Sequence, residues 1–194
     1  MSKKIIVLVF VVLLLVVGGV FCWQKREIKG SPDDYVIQET PEGTIVENER
    51  AGLTVKVPGG WITEKIEIME GSVVFYTPDI ESVRPNKKDS LPLKKGCMIE
   101  MAVDYLTRDL EELENIAKEE HKAFVMKSDM FEMIEVDNIP AFKNTFDCTE
   151  LGSSIEVYIP RKDILYGFRI AMGAENTEGC FQAFDELLKT VSIK

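Results

Sequence analysis

The chain has 194 residues and is acidic, with 33 Asp and Glu against 23 Lys and Arg and a formal net charge of −10. Residues 1–29 carry five basic residues and one acidic residue, which leaves 18 basic and 32 acidic residues, a net charge of −14, for residues 30–194. This charge disfavours nucleic acid and anionic lipid as primary partners of the latter part. Its length of about 165 residues suits one domain with a single core.

The N-terminal segment, residues 5–23, contains no charged residue and is flanked by basic residues on both sides. As a helix it is about 28 Å long, close to the hydrocarbon thickness of a bilayer. We therefore predict a single-pass membrane anchor behind a short tail, residues 1–4, with the folded domain outside the cytoplasm. A cleaved signal peptide and a lipoprotein lipidated at Cys22 remain as alternatives. S-palmitoylation of Cys22 at the membrane edge is a further one.

The next segment, residues 24–43, is polar and has no sustained apolar period, so we predict a tether that leads into a folded domain over residues 44–194. Residues 53–57 alternate between apolar and polar side chains, which predicts a half-buried strand. A Pro-Gly-Gly sequence then breaks that strand, and residues 72–77 predict another one.

Residues 79–96 are predicted to form a long exposed loop, because they contain prolines and four of the lysines of an acidic domain. Long loops inside compact domains are often functional. The candidate partner contacts are therefore its lysines, Lys87, Lys88, Lys94 and Lys95. A solvated insertion without a ligand is an equally good interpretation.

The second half of the chain alternates between strand and helix patterns. Residues 97–105 predict a strand, and residues 109–124 predict an amphipathic helix that begins with a capping box. Further strands are predicted over residues 130–136, 139–146, 155–159 and 164–172, with the last two forming a hairpin, and an amphipathic helix closes the chain. This succession predicts an α+β fold with helices packed on a mainly antiparallel sheet.

The sequence Val57-Pro58-Gly59-Gly60-Trp61, which ends the first predicted strand, resembles the opening of PsbP-like domains. These domains are named after the extrinsic P subunit of photosystem II and share their fold with the Mog family of Ran-binding proteins. The order of the later elements agrees, including the Ile139-Pro140-Ala141 start of a strand and the Leu165-Tyr166 hairpin before a terminal helix. The resemblance covers residues 44–194 and implies a PsbP-like fold, as found in short bacterial envelope proteins. It implies no catalytic residue, because the family has none in common.

The three cysteines of the domain, Cys97, Cys148 and Cys180, permit at most one internal bridge, with three pairings open. None of their spacings is that of a zinc or thioredoxin-type motif, and buried free thiols are the default interpretation. The single histidine, His121, falls on the apolar stripe of the predicted middle helix, where a structural role is expected. We find no motif for a metal, a cofactor or catalysis.

Trp61 follows the Pro-Gly-Gly break and is the candidate pocket aromatic, although the favoured interpretation is packing, in which the indole seals one end of the core where the chain reverses. The hypothesis is a membrane-anchored, extracytoplasmic binding or scaffolding protein that is not an enzyme and whose partner is another envelope protein. The alternatives are an envelope enzyme, a hydrolase or a metal-dependent one, with an unrecognised acidic site, and a structural protein of the cell surface.

Overall fold

The computed structural model describes residues 30–66, 72–82, 93–106, 115, 130–148, 152–173 and 177–194. These residues form two main antiparallel sheets, a small two-stranded sheet and a helix that contacts both main sheets. The mainly antiparallel α+β arrangement predicted from the sequence is confirmed. The predicted middle helix, residues 109–124, and His121 with it, lie outside the described residues apart from position 115.

The smaller main sheet combines the start of the described chain with its end. Its strands are β1 Tyr35–Thr40, β2 Gly43–Asn48, β3 Leu53–Lys56 and β13 Ser192–Ile193, in the order β1-β2-β3-β13. The β1–β2 hairpin turns through two residues and pairs over six positions without a break.

Strand β1 lies inside the segment that the sequence predicted to be a tether, residues 24–43. The physical reason is that an edge strand of a small sheet needs little apolar surface. Tyr35 is 1% exposed and anchors the strand in the main core, while Val36 is 50% exposed. Ile37 also packs against that core, and backbone pairing with β2 holds the rest of the strand, so the apolar period covers only these two positions.

The larger sheet has seven strands in the order β4-β5-β8-β12-β11-β10-β9. Their bounds are β4 Ile62–Ile66, β5 Ser72–Tyr76, β8 Cys97–Tyr105, β9 Met130–Val136, β10 Ile139–Cys148, β11 Gly152–Arg161 and β12 Ile164–Met172. The predicted hairpin is present as β11 and β12, which pair directly. Between β5 and β8, the short strands β6 Glu81–Ser82 and β7 Leu93–Lys95 form the two-stranded sheet.

The helix α1, Thr177–Thr190, packs its apolar face on the larger sheet and on β3. The buried residues of this face and the turn after it recur at helical spacing, namely Cys180, Phe184, Leu187, Leu188 and Val191. They join one core with the inward side chains of β8, β11 and β12. The hydroxyl of Thr190 at the end of the helix also bonds the backbone of Lys56, to N at 3.0 Å and to O at 3.1 Å.

A disulfide joins Cys97 to Cys180, with the two Cα atoms 5.7 Å apart. Buried free thiols were the default prediction for both residues, and that prediction is wrong. The two cysteines are 83 residues apart in the sequence. They meet because β8 begins opposite Met172 at the end of β12, and α1 follows β12 closely in the chain. The first turn of the helix is therefore held against the first residue of β8.

The predicted membrane anchor, residues 5–23, lies outside the described part of the chain, as does Cys22. Within the described part, no helix is both long and apolar enough to cross a membrane.

Candidate functional site

The predicted basic loop is in part a hairpin that pairs its own charges. Lys94 Nζ lies 3.0 Å from Glu81 Oε1, and Lys95 Nζ lies 3.3 Å from Asp79 Oδ2. A hydrogen bond from the Thr77 hydroxyl, and then one from Lys95, hold the pKa of Asp79 below its ordinary value. Lys87 and Lys88 lie outside the described residues. The two described lysines therefore carry charge that is largely balanced by their own neighbours.

The same hairpin, β6 with β7, is seated on the larger sheet by close backbone contacts. Leu93 is buried in a small apolar cluster with Val74, Met98 and Ala171. A side chain at Gly173 would come within 2.6 Å of the backbone N of Lys95. The Gly173 N–H also donates to Gly96 O at 2.9 Å. This segment is thus built into the fold at its two ends.

Trp61 is half-buried and packs against the main core. Its backbone N–H donates to Pro58 O at 3.3 Å, and Gly60 in the turn has φ of +80°, which favours glycine. The indole therefore packs against the core just after the turn. It does not line the cleft described next.

A cleft of about 520 Å³ lies between the β9–β10 hairpin and the second half of α1. Its apolar floor consists of Ile134, Val136, Leu188 and Val191. Its rim carries charged side chains of both signs, Glu135, Asp137, Lys143, Asp185 and Lys189. Binding sites in proteins are concave and combine apolar side chains with polar groups that fix orientation, and this cleft has both, with more charged than apolar residues in its lining. We take this cleft as the candidate functional site.

The turn at one end of the cleft is fixed by an unusual backbone. Asp137 and Asn138 have φ of 52° and 60°, the left-handed conformation of a type I′ hairpin turn that Asp and Asn tolerate. The Asp137 side chain accepts a hydrogen bond at 2.6 Å from the backbone N–H of Ile193. The Arg161 guanidinium donates to the Ile193 carbonyl on the same short strand. Two charged side chains of the larger sheet thus hold β13, which belongs to the smaller one.

The rim residues differ in how their charges are balanced. Lys143 Nζ lies 3.2 Å from Glu132 Oε1 on the neighbouring strand. Glu135, Asp185 and Lys189 are exposed and, among the described residues, have no ion pair within 4 Å. Both signs are therefore available at the rim, with acidic groups in excess.

A row of charged residues crosses the face of the larger sheet opposite α1. This row is the candidate for the unrecognised acidic site of the alternative enzyme hypothesis. Glu156, Arg169 and Glu100 are consecutive partners across β11, β12 and β8. Arg169 Nε lies 3.4 Å from Glu156 Oε1, and the Tyr158 hydroxyl donates to Glu156 at 3.0 Å. The guanidinium stands between two carboxylates, so this row pairs charges and does not place a carboxylic acid beside a carboxylate. In the described part of the chain, no group of three or more His, Cys, Asp or Glu side chains is placed to hold a metal ion.

The sequence singled out none of the cleft residues. The only local signal is the two-residue gap, Asp137 and Asn138, between the strands predicted over residues 130–136 and 139–146, and it does not mark a site. The cleft forms where residues 134–143 and 185–191 line a common surface. No sequence motif in either segment indicates that the two segments meet.

No protein-family model matches the chain, and no curated protein matches it either. Similarity is found among solved structures. The solution structure of cyanobacterial PsbP (CyanoP) from Synechocystis has a TM-score of 0.49 and 9% identity, over 83% of this chain and 93% of that one. A crystal structure from Bacteroides thetaiotaomicron has a TM-score of 0.42 and 13% identity, over 74% of this chain and 45% of that one.

The crystal structure of LpqN, a protein involved in cell envelope biogenesis of Mycobacterium tuberculosis, aligns with a TM-score of 0.50 and 14% identity. The alignment covers 84% of this chain and 94% of LpqN. LpqN has a PsbP-like fold, so the PsbP-like fold predicted from the sequence is confirmed. At this identity the likeness concerns the fold alone.

Proposed function

We propose that this protein is a binding or scaffolding protein, held at the membrane by residues 5–23, whose folded domain lies outside the cytoplasm and binds a partner in the cleft. The observation that carries the proposal is the cleft itself, in which Ile134 is half-buried above a buried apolar floor and Glu135, Asp185 and Lys189 at the rim have no ion pair among the described residues. Such a surface suits recognition without chemistry, and we propose accordingly that the protein is not an enzyme. The partner proposed is another envelope protein.

The disulfide between Cys97 and Cys180 supports the location. Disulfides form and persist in oxidising compartments and are rare in a reducing cytosol. The involvement of LpqN in cell envelope biogenesis agrees with such a location for a protein of the same fold. An anchor at the membrane would also raise the local concentration of the domain near envelope partners, which favours weak binding.

The site is tested by photocrosslinking in intact cells that express the full-length chain. A photoreactive amino acid replaces Lys189 at the cleft rim in one variant and Lys94 in the hairpin in the other, since both are exposed lysines. We expect a discrete adduct from position 189 and none from position 94. An adduct from position 94 alone would move the binding surface to the basic hairpin and contradict the proposal.

The location is tested by alkylating free thiols in intact cells. The protein is then reduced, and the cysteines that had been alkylated before reduction are counted. We expect Cys97 and Cys180 to be protected by their bridge in the membrane-bound protein. Quantitative alkylation of both residues before reduction would place the domain in a reducing compartment.

A further inference from the structure

We propose that the partner enters the cleft as an extended peptide that adds a strand to β9, with apolar residues facing the cleft and basic residues on alternate positions. This inference rests on the proposed function and specifies how the cleft recognises its partner.

The backbone of β9 faces outward at alternate residues. Among the described strands, β9 lies at one edge of the larger sheet. Val136 pairs with Ile139 across the two-residue turn, so this pair exchanges hydrogen bonds, and the pairing then alternates along the hairpin. Met133 and Glu135 fall at the intervening positions of this pattern. Their N–H and C=O groups therefore point away from β10, toward the side of β9 on which no other described strand lies.

In the described part of the chain, the edge lacks proline, lysine and a bulge, which commonly guard exposed edges together with other charged side chains and very short strands. Its two charged residues are Glu132, which pairs with Lys143, and Glu135. Strand β9 reads Met-Phe-Glu-Met-Ile-Glu-Val, and its pairing with β10 is unbroken over seven residues. Met133 is 54% exposed. By contrast, β13 has only two residues, and Asp137 and Arg161 already bond its backbone.

The side chains on the two faces of β9 determine which residue types an added strand would need at alternate positions. Ile134 and Val136 point into the cleft, so every second side chain of an added strand would lie over its apolar floor. The intervening side chains would lie beside Met133 and Glu135. Because Glu135 has no ion pair among the described residues and residues 30–194 carry a net charge of −14, a basic residue is favoured there. The same charge opposes pairing with a second copy of this chain.

The test uses short random peptides displayed on phage and selected against the full-length chain in detergent, with its disulfide intact. Selected peptides are resynthesised with a single N-methylated residue at each position in turn. An N-methyl group removes one backbone donor and blocks a strand pairing only on the side where that donor is used. We expect affinity to fall by about tenfold or more at every second residue and to change little between them, since a lost hydrogen bond is worth roughly one power of ten.

Matched variants of the protein locate the pairing. Met133→Pro removes an outward N–H without touching the β10 pairing, whereas Met133→Ala keeps the donor and removes only the side chain. Glu39→Pro removes an outward N–H from β1, the edge strand of the other sheet. We expect Met133→Pro alone to abolish peptide binding, with the disulfide still formed in all three variants.

The outcomes separate this inference from the proposed function. Peptides that crosslink to position 189 but tolerate N-methylation at every residue would disprove strand addition and leave the cleft as the binding site. Selected peptides that never crosslink to position 189 would disprove both. A dimer of the free chain that Met133→Pro dissociates would assign the edge to a second copy and overturn the inference.

Discussion

The basic hairpin and the cleft are both charged surfaces, yet they differ in where each charge finds its counterpart. In the hairpin, Lys94 and Lys95 pair with Glu81 and Asp79, which lie on the adjoining strand or the turn before it. At the cleft, Glu135 and Asp185 belong to elements that are distant in sequence, and neither has an ion pair among the described residues. A cluster of like charges in a sequence is therefore a weak sign of a binding surface, because oppositely charged residues close to it in the chain can form ion pairs with it.

The comparison predicts that the cleft, whose walls are distant in sequence, depends on the bridge between Cys97 and Cys180. Replacing Cys97 and Cys180 together by serine should lower the free energy of unfolding by about 2–5 kcal/mol, because the bridge closes a long loop. It should also weaken peptide binding in the cleft, since the bridge holds the first turn of α1. Urea denaturation measures the first effect, and reductant serves as the control, because it should affect only the unmutated protein. Equal urea midpoints for the two proteins without reductant would contradict this prediction.

A second prediction concerns the close contact between Gly173 and the backbone of the hairpin. Gly173→Ala should lower the free energy of unfolding by about 1–3 kcal/mol, because its Cβ would overlap the backbone of Lys94 and Lys95. Gly59→Ala is the matched control, since a Cβ there has no neighbour within 4 Å and the change should stay within about 0.5 kcal/mol. Thermal unfolding of both variants tests the difference. Similar midpoints would show that the hairpin moves aside without cost.

A third prediction tests the connection between the two sheets at the end of the cleft. Asp137→Ala removes the acceptor for the Ile193 N–H and places alanine at a φ of 52°, so we expect a loss of about 1–2 kcal/mol. Asp137→Asn keeps an acceptor oxygen and tolerates that φ, and it should recover most of the stability. Amide hydrogen exchange at Ile193 reports the bond directly. Unchanged protection of this amide in Asp137→Ala would show that the side chain does not hold β13.

The smallest expected effect lies within the hairpin itself. The pKa of Asp79 is lowered by Thr77 and Lys95, so its interactions contribute stability above the ordinary Asp pKa of about 4 and lose it as pH falls through the lowered value. Thr77→Ala and Lys95→Ala should each raise this pKa, because Thr77 supplies the largest single hydrogen bond to Asp79 and Lys95 supplies both a hydrogen bond and a positive charge. An NMR titration of the carboxyl carbon measures both shifts. An unchanged pKa in either variant would show that the side chain removed does not act on Asp79.

The sequence predicted best the strands in which apolar side chains recur at alternate positions and pack into the core. Strands β8 and β12 lie in the interior of the larger sheet, and their apolar period is visible over nine residues each. Strand β1 was not predicted, because only Tyr35 and the partly buried Ile37 anchor it in the core. The helix α1 was found from its apolar spacing, although nothing in that spacing showed what it covers.

The candidate site and the disulfide could not be predicted for a shared reason. Each joins segments that are distant in sequence, such as Cys97 with Cys180 or Ile134 with Leu188. Three cysteines left three pairings open, and only the packing of α1 against the start of β8 selects one of them. The lysines of the loop drew attention because they are neighbours in sequence, which is also why their charges are already balanced.

The position of the bridge has a consequence for how the protein is made. Among the three cysteines of the folded domain, Cys148 precedes Cys180 in the chain, so it becomes available to Cys97 first during synthesis. A bond between those two would be an error that thiol exchange corrects once the last helix has arrived. If the domain is exported as proposed, cells that lack a disulfide isomerase should accumulate the mispaired form.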